Sequence, residues 1–138
     1  MKKILIDLNV ILDFLNKREG HEKAADILNM CSSGKAVGYI CAHEITTLSY
    51  FLGKIIKEKT KRNKIINGIL ELLNIISIDK KILKEALLSK IDDYEDAVID
   101  ESAKKEKIEY IITRDLKDFK NASIKAITPE EYLTRSIS

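Results

Sequence analysis

Residues 4–13 of the chain read ILIDLNVILD, an apolar stretch that one carboxylate and one amide interrupt. The run of Ile4, Leu5 and Ile6 is rich in β-branched side chains and predicts a strand. Asp7 follows directly, and a carboxylate that is buried without a partner costs several kcal/mol or becomes protonated. We therefore expect partners for Asp7 to come from elsewhere in the sequence.

Four more short apolar runs with β-branched residues predict further strands. They are VGYIC at 37–41, NIISI at 74–78, EYIIT at 109–113 and SIKAI at 123–127. The segments between most of them carry apolar residues at the spacing of amphipathic helices. Strands that alternate with helices predict an α/β fold, a three-layer α/β/α sandwich with a mainly parallel central sheet of about five strands.

Individual residues indicate where several helices begin and end. Asp79 can cap the helix that follows the third predicted strand. Gly34 and Gly53 are expected at helix ends, where glycine is favoured. The sequence TPEE at 128–131 is a good start for a final short helix, because it combines a capping threonine, a proline and two acids.

The composition is that of an ordinary globular protein. The chain has 138 residues, a net charge of +2, 45% apolar residues and 33% charged residues, so we expect one domain over 1–138. No apolar run approaches the roughly 20 residues that span a bilayer, and the apolar run near the N-terminus is too short for a signal peptide. We expect a cytoplasmic protein with no membrane association.

A basic stretch covers residues 54–64, KIIKEKTKRNK, with six basic residues and one acid. One interpretation is a solvated turn and helix start. The other is a surface that contacts nucleic-acid phosphates, in which Lys57, Lys61 and Arg62 would take part. The second interpretation gains support only if a nuclease site lies nearby.

Acidic residues follow the ends of several predicted strands. Asp7 ends the first strand, Glu44 follows the second by three residues, and Asp115 follows the fourth by two. Asp96 lies in the first turns of the helix that leads into the strand at 109–113. Because ligands of an open parallel sheet bind beyond the carboxyl ends of its strands, we expect these acids to converge on one edge.

Carboxylates that share a cleft repel each other and are stable in the ionised form only with a cation among them. Oxygen ligands of this kind favour Mg²⁺ or Mn²⁺, and a pair of such ions can promote phosphodiester hydrolysis. Each acid has a simpler interpretation when taken alone. Glu44 could interact with a helix dipole, Asp96 could belong to a solvated acidic face, and Asp115 could be a turn residue.

Four segments together carry a resemblance to a known family. DLNVILD at 7–13, Glu44 in its helix, YEDAVIDESAKK at 94–105 and YIITRDLKDF at 110–119 resemble the motif regions of the PIN-domain family, including VapC-type toxin ribonucleases. The resemblance runs in order along the chain to about Ile127. It implies an α/β/α ribonuclease that uses Mg²⁺ or Mn²⁺ and acts on RNA, and it suggests an antitoxin protein and a homodimer as partners.

The resemblance also implies roles for individual residues. The acidic quartet would be Asp7, Glu44, Asp96 and Asp115. Of these, the resemblance makes Asp7, Asp96 and Asp115 the metal ligands, with Asn9 and Thr113 as supporting polar residues and Asp118 as the alternative fourth acid. Asp100 departs from the family pattern, and we expect either a further acid near the site or a solvent-facing residue.

Other functions are also compatible with parts of the pattern. A haloacid-dehalogenase-type phosphatase also places an aspartate after its first strand, but needs a second acid where this chain has Asn9. A phosphoacceptor receiver domain needs adjacent acids at the first strand end, and this chain lacks that pair. A catalytically silent PIN domain that binds RNA or protein remains the main alternative, because a fold does not determine activity.

Overall fold

The computed structural model describes residues 2–137, with the backbone alone for residue 137. Its strands are β1 (Lys3–Ile6), β2 (Val37–Cys41), β3 (Asn74–Ile76), β4 (Tyr110–Ile112) and β5 (Ala126–Ile127). Its helices are α1 (Leu8–Leu15), α2 (His21–Ser32), α3 (Ala42–Ile55), α4 (Lys59–Leu72), α5 (Lys80–Ala86), α6 (Tyr94–Glu106) and α7 (Pro129–Ile137), with a 3-10 helix at Leu116–Phe119.

The strands form one parallel sheet in the order β3-β2-β1-β4-β5. Strand β1 lies in the centre, where Leu5 is in register with Tyr39 of β2 and Ile111 of β4. The predicted parallel sheet of about five strands is therefore confirmed. A central parallel strand is buried on both faces, which explains why its sequence is a continuous apolar run.

Helices cover both faces of the sheet. Ile4 and Ile6 of β1 pack on one face with residues of α1, α2, α3, α4 and α7. Leu5 points to the other face and packs with residues of α5 and α6. Successive side chains of a strand alternate between faces, so β1 contributes to both cores. The predicted three-layer α/β/α sandwich is confirmed.

Helix α1 is the one long element that the sequence analysis does not predict. Its residues Leu8, Val10, Ile11 and Leu12 are all buried, because the helix packs between the sheet and α2. Its polar residues Asn9 and Asp13 are half-buried and buried, so the helix has no solvent-exposed polar face. Periodicity alone cannot distinguish such a segment from the apolar run of the preceding strand.

The predicted helix ends are mostly confirmed. The side chain of Asp79 accepts a hydrogen bond from the Ile82 N–H at 2.9 Å, and Thr128 accepts one from the Glu131 N–H at 3.0 Å. Gly34 follows α2 with a φ of +80°, a conformation that favours glycine.

The prediction that Gly53 ends a helix is wrong, because α3 continues to Ile55. Glycine inside a helix costs roughly 1 kcal/mol relative to alanine. The burial of Leu52 and the packing of Ile56 against the core favour continuation of the helix to this point. Across the described range, no helix is both long and apolar enough to cross a membrane.

Candidate active site

The predicted acids lie at the carboxyl edge of the sheet. Asp7 joins β1 to α1, and Glu44 lies in the first turn of α3, directly after β2. Asp115 follows β4 after Thr113 and Arg114. Because the strands are parallel, the three acids lie along the same edge, and the Asp7 carboxylate raises the pKa values of both Glu44 and Asp96.

Asp7 is nearly buried and is fixed by its backbone and by a neighbouring hydroxyl. Its N–H donates to the Ile112 carbonyl at 3.0 Å, which continues the pairing of β1 with β4. The Thr113 hydroxyl donates to its Oδ2 at 2.8 Å. Burial raises the pKa of Asp7 to about 6, the Thr113 hydrogen bond opposes this shift, and the Asp115 carboxylate adds to it.

Glu44 is the most deeply buried acid of the site, with 2% of its surface exposed. Its Oε2 accepts a hydrogen bond from the Leu8 N–H, the first amide of α1, at 3.2 Å. Its Oε1 is buried and has no hydrogen-bond partner among the described residues. Burial, followed by the Asp7 carboxylate, holds the pKa of Glu44 well above its usual value. A proton or a cation would compensate this unpaired oxygen.

Two polar residues connect the acids. The Asn9 side-chain amide donates to Asp115 Oδ2 at 2.9 Å. The Thr113 hydroxyl donates to Asp7 and accepts from the Asp115 N–H at 3.0 Å. The structure thus places both predicted supporting residues against the acids, where they fix two carboxylates that come from distant parts of the chain.

Asp96 lies in the first turn of α6, beside the Asp93 cap, whose carboxylate accepts the Asp96 N–H at 3.0 Å. Burial raises the pKa of Asp96 to about 7, and further increases come from Asp93, Asp118, Asp7 and Glu95, in that order. Asp118 is exposed on the 3-10 helix. The Asp118 carboxylate therefore raises the pKa of Asp96, whereas the Asp115 carboxylate raises the pKa of Asp7. Both candidates for the fourth acid thus border the site.

The donor set has the chemistry that a hard divalent cation requires. All of its members are carboxylates, and three have raised pKa values, so their ionised forms lack compensating positive charge. However, no group of three or more His, Cys, Asp or Glu side chains within the described part of the chain is arranged to hold a metal ion. The residues fit such an ion chemically, although their side chains are not clustered into a finished site.

A second group of charged residues lies beside the acids, and no pattern in the sequence assigns it a role. Asp13 of α1 is 1% exposed, and its Oδ2 lies 2.6 Å from Nε of Arg114. Arg18 lies farther away, with Nη1 at 3.8 Å from Asp13 Oδ1. With α1 recognised as a helix, the four-residue spacing of Asn9 and Asp13 would have placed both on one face.

Asp100 has a structural role that neither expectation for it describes. It is 2% exposed, so it does not face solvent. Its two carboxylate oxygens accept hydrogen bonds from the backbone N–H groups of Ser123 and Ile124, at 2.9 and 3.0 Å. Asp100 thus fixes the loop that precedes β5 to the middle of α6.

The basic stretch lies at the turn between α3 and α4. Helix α3 has 14 residues and begins near Glu44, so at 1.5 Å per residue the turn lies about 20 Å from the acids. Arg62 donates to the carbonyls of Ile56 and Lys57, at 2.8 and 2.6 Å, and Lys61 lies 3.7 Å from Glu58. The guanidinium of Arg62 therefore stabilises the turn.

Several solved structures resemble this fold. A toxin–antitoxin complex from Klebsiella pneumoniae matches with a TM-score of 0.67 and 25% identity, over 91% of this chain and 97% of that one. VapBC2 from Rickettsia felis, bound to a promoter DNA fragment, matches with a TM-score of 0.69 and 17% identity over 91% and 98%. VapC20 from Mycobacterium tuberculosis, a sarcin-ricin loop cleaving toxin, matches with a TM-score of 0.61 and 14% identity over 78% and 86%.

The family assignment rests on the sequence itself. No curated protein matches the chain significantly. The family model described as PIN domain matches residues 3–117, a range that begins with β1 and includes all four acids of the predicted quartet. The chain therefore belongs to the PIN domain family.

Proposed function

We propose that this chain is a metal-dependent endoribonuclease that hydrolyses RNA phosphodiesters and acts as the toxin of a toxin–antitoxin pair. The observation that carries the proposal is the electrostatic repulsion among Asp7, Glu44 and Asp96 at the sheet edge, with all three pKa values raised. Perturbed carboxylates at one edge of a parallel sheet are typical of a functional site. The likeness of the fold to VapC20, named as a cleaving toxin, is consistent with this role.

Asp7, Asp96 and Asp115 would hold Mg²⁺ or Mn²⁺, with Glu44 beside them. When bound, such an ion supplies activation of a water molecule and stabilisation of the leaving oxygen. The carboxylates are not yet grouped for this purpose in the structure, so we propose that they approach each other as the ion neutralises their repulsion. The unpaired, buried Oε1 of Glu44 supports a cation at this place.

The other residues of the site would orient the acids. Thr113 holds the carboxylate of Asp7, and Asn9 holds that of Asp115, each through one short hydrogen bond. The first amide of α1 holds Glu44, and the positive end of the helix dipole favours negative charge there. Groups that are fixed before the substrate binds need little reorganisation during the reaction.

The direct test is cleavage of a mixed RNA pool by the purified chain. We expect cleavage with Mg²⁺ or Mn²⁺, loss of cleavage in excess EDTA, and recovery when the metal is restored, because the bound ion would activate the water molecule and stabilise the leaving oxygen. Asp92→Asn is a matched control, since Asp92 is an exposed acid in the loop before α6, and this variant should cleave as the wild type does. Full activity in EDTA would exclude the proposed mechanism.

One observation favours a second candidate function, a catalytically silent PIN domain that binds RNA or protein. Within the part of the chain that the structure describes, no three acidic, histidine or cysteine side chains are arranged to hold a metal. RNA binding without metal-dependent cleavage, in the experiment above, would support this alternative.

An antitoxin or a second copy of the chain would need an apolar surface, and α3 offers one. Tyr50 is 63% exposed, Phe51 38% and Ile55 62%. The Lys54 ammonium lies 4.6 Å from the centre of the Tyr50 ring. Exposed apolar groups of this size are typical of interaction sites. We propose this part of α3 as the partner surface, for a toxin that acts on RNA in the cytoplasm.

For the basic stretch we propose contacts between Lys57 and Lys61 and the phosphates of RNA. Changing both residues to Gln should weaken RNA binding equally for all sequences. It should also reduce the slope of log affinity against log salt by about 1.4, or about 0.7 for each contact with a single strand. Binding is measured in an Asp96→Asn background, which prevents cleavage.

The matched control for this pair is Lys80→Gln with Lys81→Gln, two exposed lysines at the start of α5 on the other face of the sheet. The control should leave the salt slope unchanged. An unchanged slope in Lys57→Gln with Lys61→Gln would assign the stretch to a solvated turn.

A further inference from the structure

Asp13 and Arg114 form an ion pair that the proposed chemistry does not use. The side chain of Asp13 is 2% exposed and that of Arg114 is 45% exposed, so a buried carboxylate holds a guanidinium at the surface. An ion pair between a buried carboxylate and a half-exposed guanidinium is weak support for stability, because desolvation of the carboxylate offsets the attraction. The pair therefore calls for a role besides stabilisation.

The position of Arg114 relates it directly to the acids. It lies between Thr113, which holds Asp7, and Asp115, which Asn9 holds. Asn9 and Asp13 lie four residues apart on α1, and the two contact neighbouring residues of the segment after β4. The contact of Asp13 with Arg114 is thus about one helical turn, about 5.4 Å, from the contact of Asn9 with Asp115.

The guanidinium retains free donors. Asp13 contacts Nε, and the hydrogen bonds of the described residues include none from either Nη atom of Arg114. Arginine presents its N–H groups in a planar fork that fits phosphate oxygens. A phosphate that approaches a group of carboxylates also needs a neighbouring cation to offset their repulsion.

We propose that Arg114 binds the RNA phosphate adjacent to the one that is cleaved, and that Asp13 is a positioning residue that fixes the guanidinium for this contact. The inference deepens the proposed function and rests on it for the identity of the ligand as RNA. The Asp13–Arg114 contact lies about one helical turn from the Asn9–Asp115 contact. When one phosphate lies at the acids, the phosphate next to it in the RNA is therefore the one that Arg114 would contact. Asp13 acts through Arg114 and does not contact the substrate.

Arg18 provides a control within the same cluster. It is also half-exposed and also faces Asp13, through Nη1 at 3.8 Å from Oδ1. It follows the C-terminal end of α1, however, whereas the acids lie at the N-terminal end. Arg18→Gln therefore removes one positive charge beside Asp13, as Arg114→Gln does, but it leaves the cation next to the acids in place.

The experiment measures RNA binding in the Asp96→Asn background and cleavage in the otherwise wild-type chain. We expect Arg114→Gln to weaken binding about tenfold and to reduce the salt slope by about 0.7, the loss of one charged phosphate contact. The KM should rise with a smaller change in kcat. Arg18→Gln should bind within about twofold of the unsubstituted background, which corresponds to a difference of less than about 0.5 kcal/mol.

Two further variants separate binding from folding. Arg114→Lys keeps the charge and should recover the salt slope but only part of the affinity, because the planar fork is lost. Asp13→Asn keeps Arg114 but removes the ion pair that fixes its guanidinium. This variant should raise the KM without a change in the salt slope. Both are checked for folding by their melting temperatures.

Wild-type binding by Arg114→Gln, with only a lower melting temperature, would overturn the inference and make the ion pair a structural contact between α1 and the segment after β4. Equal losses for Arg114→Gln and Arg18→Gln would overturn it as well. If the wild type binds RNA but never cleaves it, and Arg114→Gln still weakens binding, the proposed ribonuclease function fails while the phosphate contact stands.

Discussion

Asp96→Asn is expected to abolish RNA cleavage and, at the same time, to raise the melting temperature of the metal-free protein. Cleavage should fall by about 10³-fold, since the substitution removes a proposed metal ligand. Stability should rise because the carboxylate is partly buried beside Asp93, Asp118, Asp7 and Glu95, and burial with these charges raises its pKa to about 7. Allowing for solvent screening, the gain is about 1 kcal/mol, or about 3 °C in a protein of this size.

The matched control is the same substitution one turn later in the same helix. Asp100 uses both oxygens to accept N–H groups of Ser123 and Ile124, and asparagine offers only one acceptor. Asp100→Asn should therefore lower stability by about 1–3 kcal/mol and leave cleavage intact at temperatures where the protein is folded. Thermal unfolding and RNA cleavage are measured for both variants. A lower melting temperature for Asp96→Asn would show that its carboxylate has a structural role.

The opposite signs expected for these two aspartates reflect two kinds of buried acid. Asp100 accepts two backbone N–H groups, so its side chain satisfies donors of the loop before β5. Asp7, Glu44 and Asp96 are compensated only in part, and their pKa values are raised. If these acids bind a cation, as we propose, their charges are not fully compensated without it, and function and stability are then opposed at this edge of the sheet.

The sheet and the location of the acids could be predicted from the sequence because both depend on local patterns. A central parallel strand is apolar throughout, as β1 is, and the position of a residue just after a strand defines the edge at which it lies. Asp7 and Glu44 follow strands that the sequence marks clearly. Their convergence required only the additional assumption that the strands are parallel.

The contacts that refine the site could not be predicted, because they join residues far apart in the chain. Asn9 and Asp115 are 106 positions apart, as are Asp7 and Thr113, so no spacing rule reveals either pair, and the resemblance alone suggested that Asn9 and Thr113 support the acids. The ion pair of Asp13 with Arg114 depends on α1, whose polar side chains are buried or half-buried and so lack the solvent-exposed face that identifies a surface helix.

The contacts of Arg62 could not be predicted from the sequence for a different reason. Its position in a run of basic residues indicates a phosphate contact, yet in the structure its guanidinium donates to the carbonyls of Ile56 and Lys57. A charge pattern predicts the sign of the charge on a surface, but it does not predict the hydrogen bonds that the side chains already make within the protein. The proposed RNA contacts of the basic stretch therefore depend on Lys57 and Lys61 more than on Arg62.

The stability of the metal-free protein should fall as pH rises, and Asp7 should account for much of the change. Its pKa is 3.8 in the unfolded chain and about 6 in the folded protein, so between these values the folded state binds more protons. The stabilising contribution is complete below pH 3.8 and is lost as pH rises to about 6. The shift corresponds to about 3 kcal/mol at most.

Comparison with Asp7→Asn removes the titration of groups that Asp7 does not influence, such as His43 and Asp79, whose pKa values are lowered. The difference reports the titration of Asp7 together with its effect on the pKa values of Glu44 and Asp96. Asparagine can still accept the Thr113 hydroxyl but carries no charge. In urea unfolding without metal, the two proteins should have similar stability near pH 4, and the variant should be more stable by about 2–3 kcal/mol at pH 7.5.

With Mg²⁺ or Mn²⁺ at pH 7.5, the wild type should become more stable than Asp7→Asn. A cation that binds the folded state stabilises it in proportion to the logarithm of its concentration above the Kd, and only the wild type retains the Asp7 ligand. A stability difference that does not change with pH, or an equal response of both proteins to metal, would contradict the prediction. Asp7 would then be a carboxylate satisfied by Thr113 and its backbone neighbours, and the cation site would have to be centred on Asp96 and Glu44 without it.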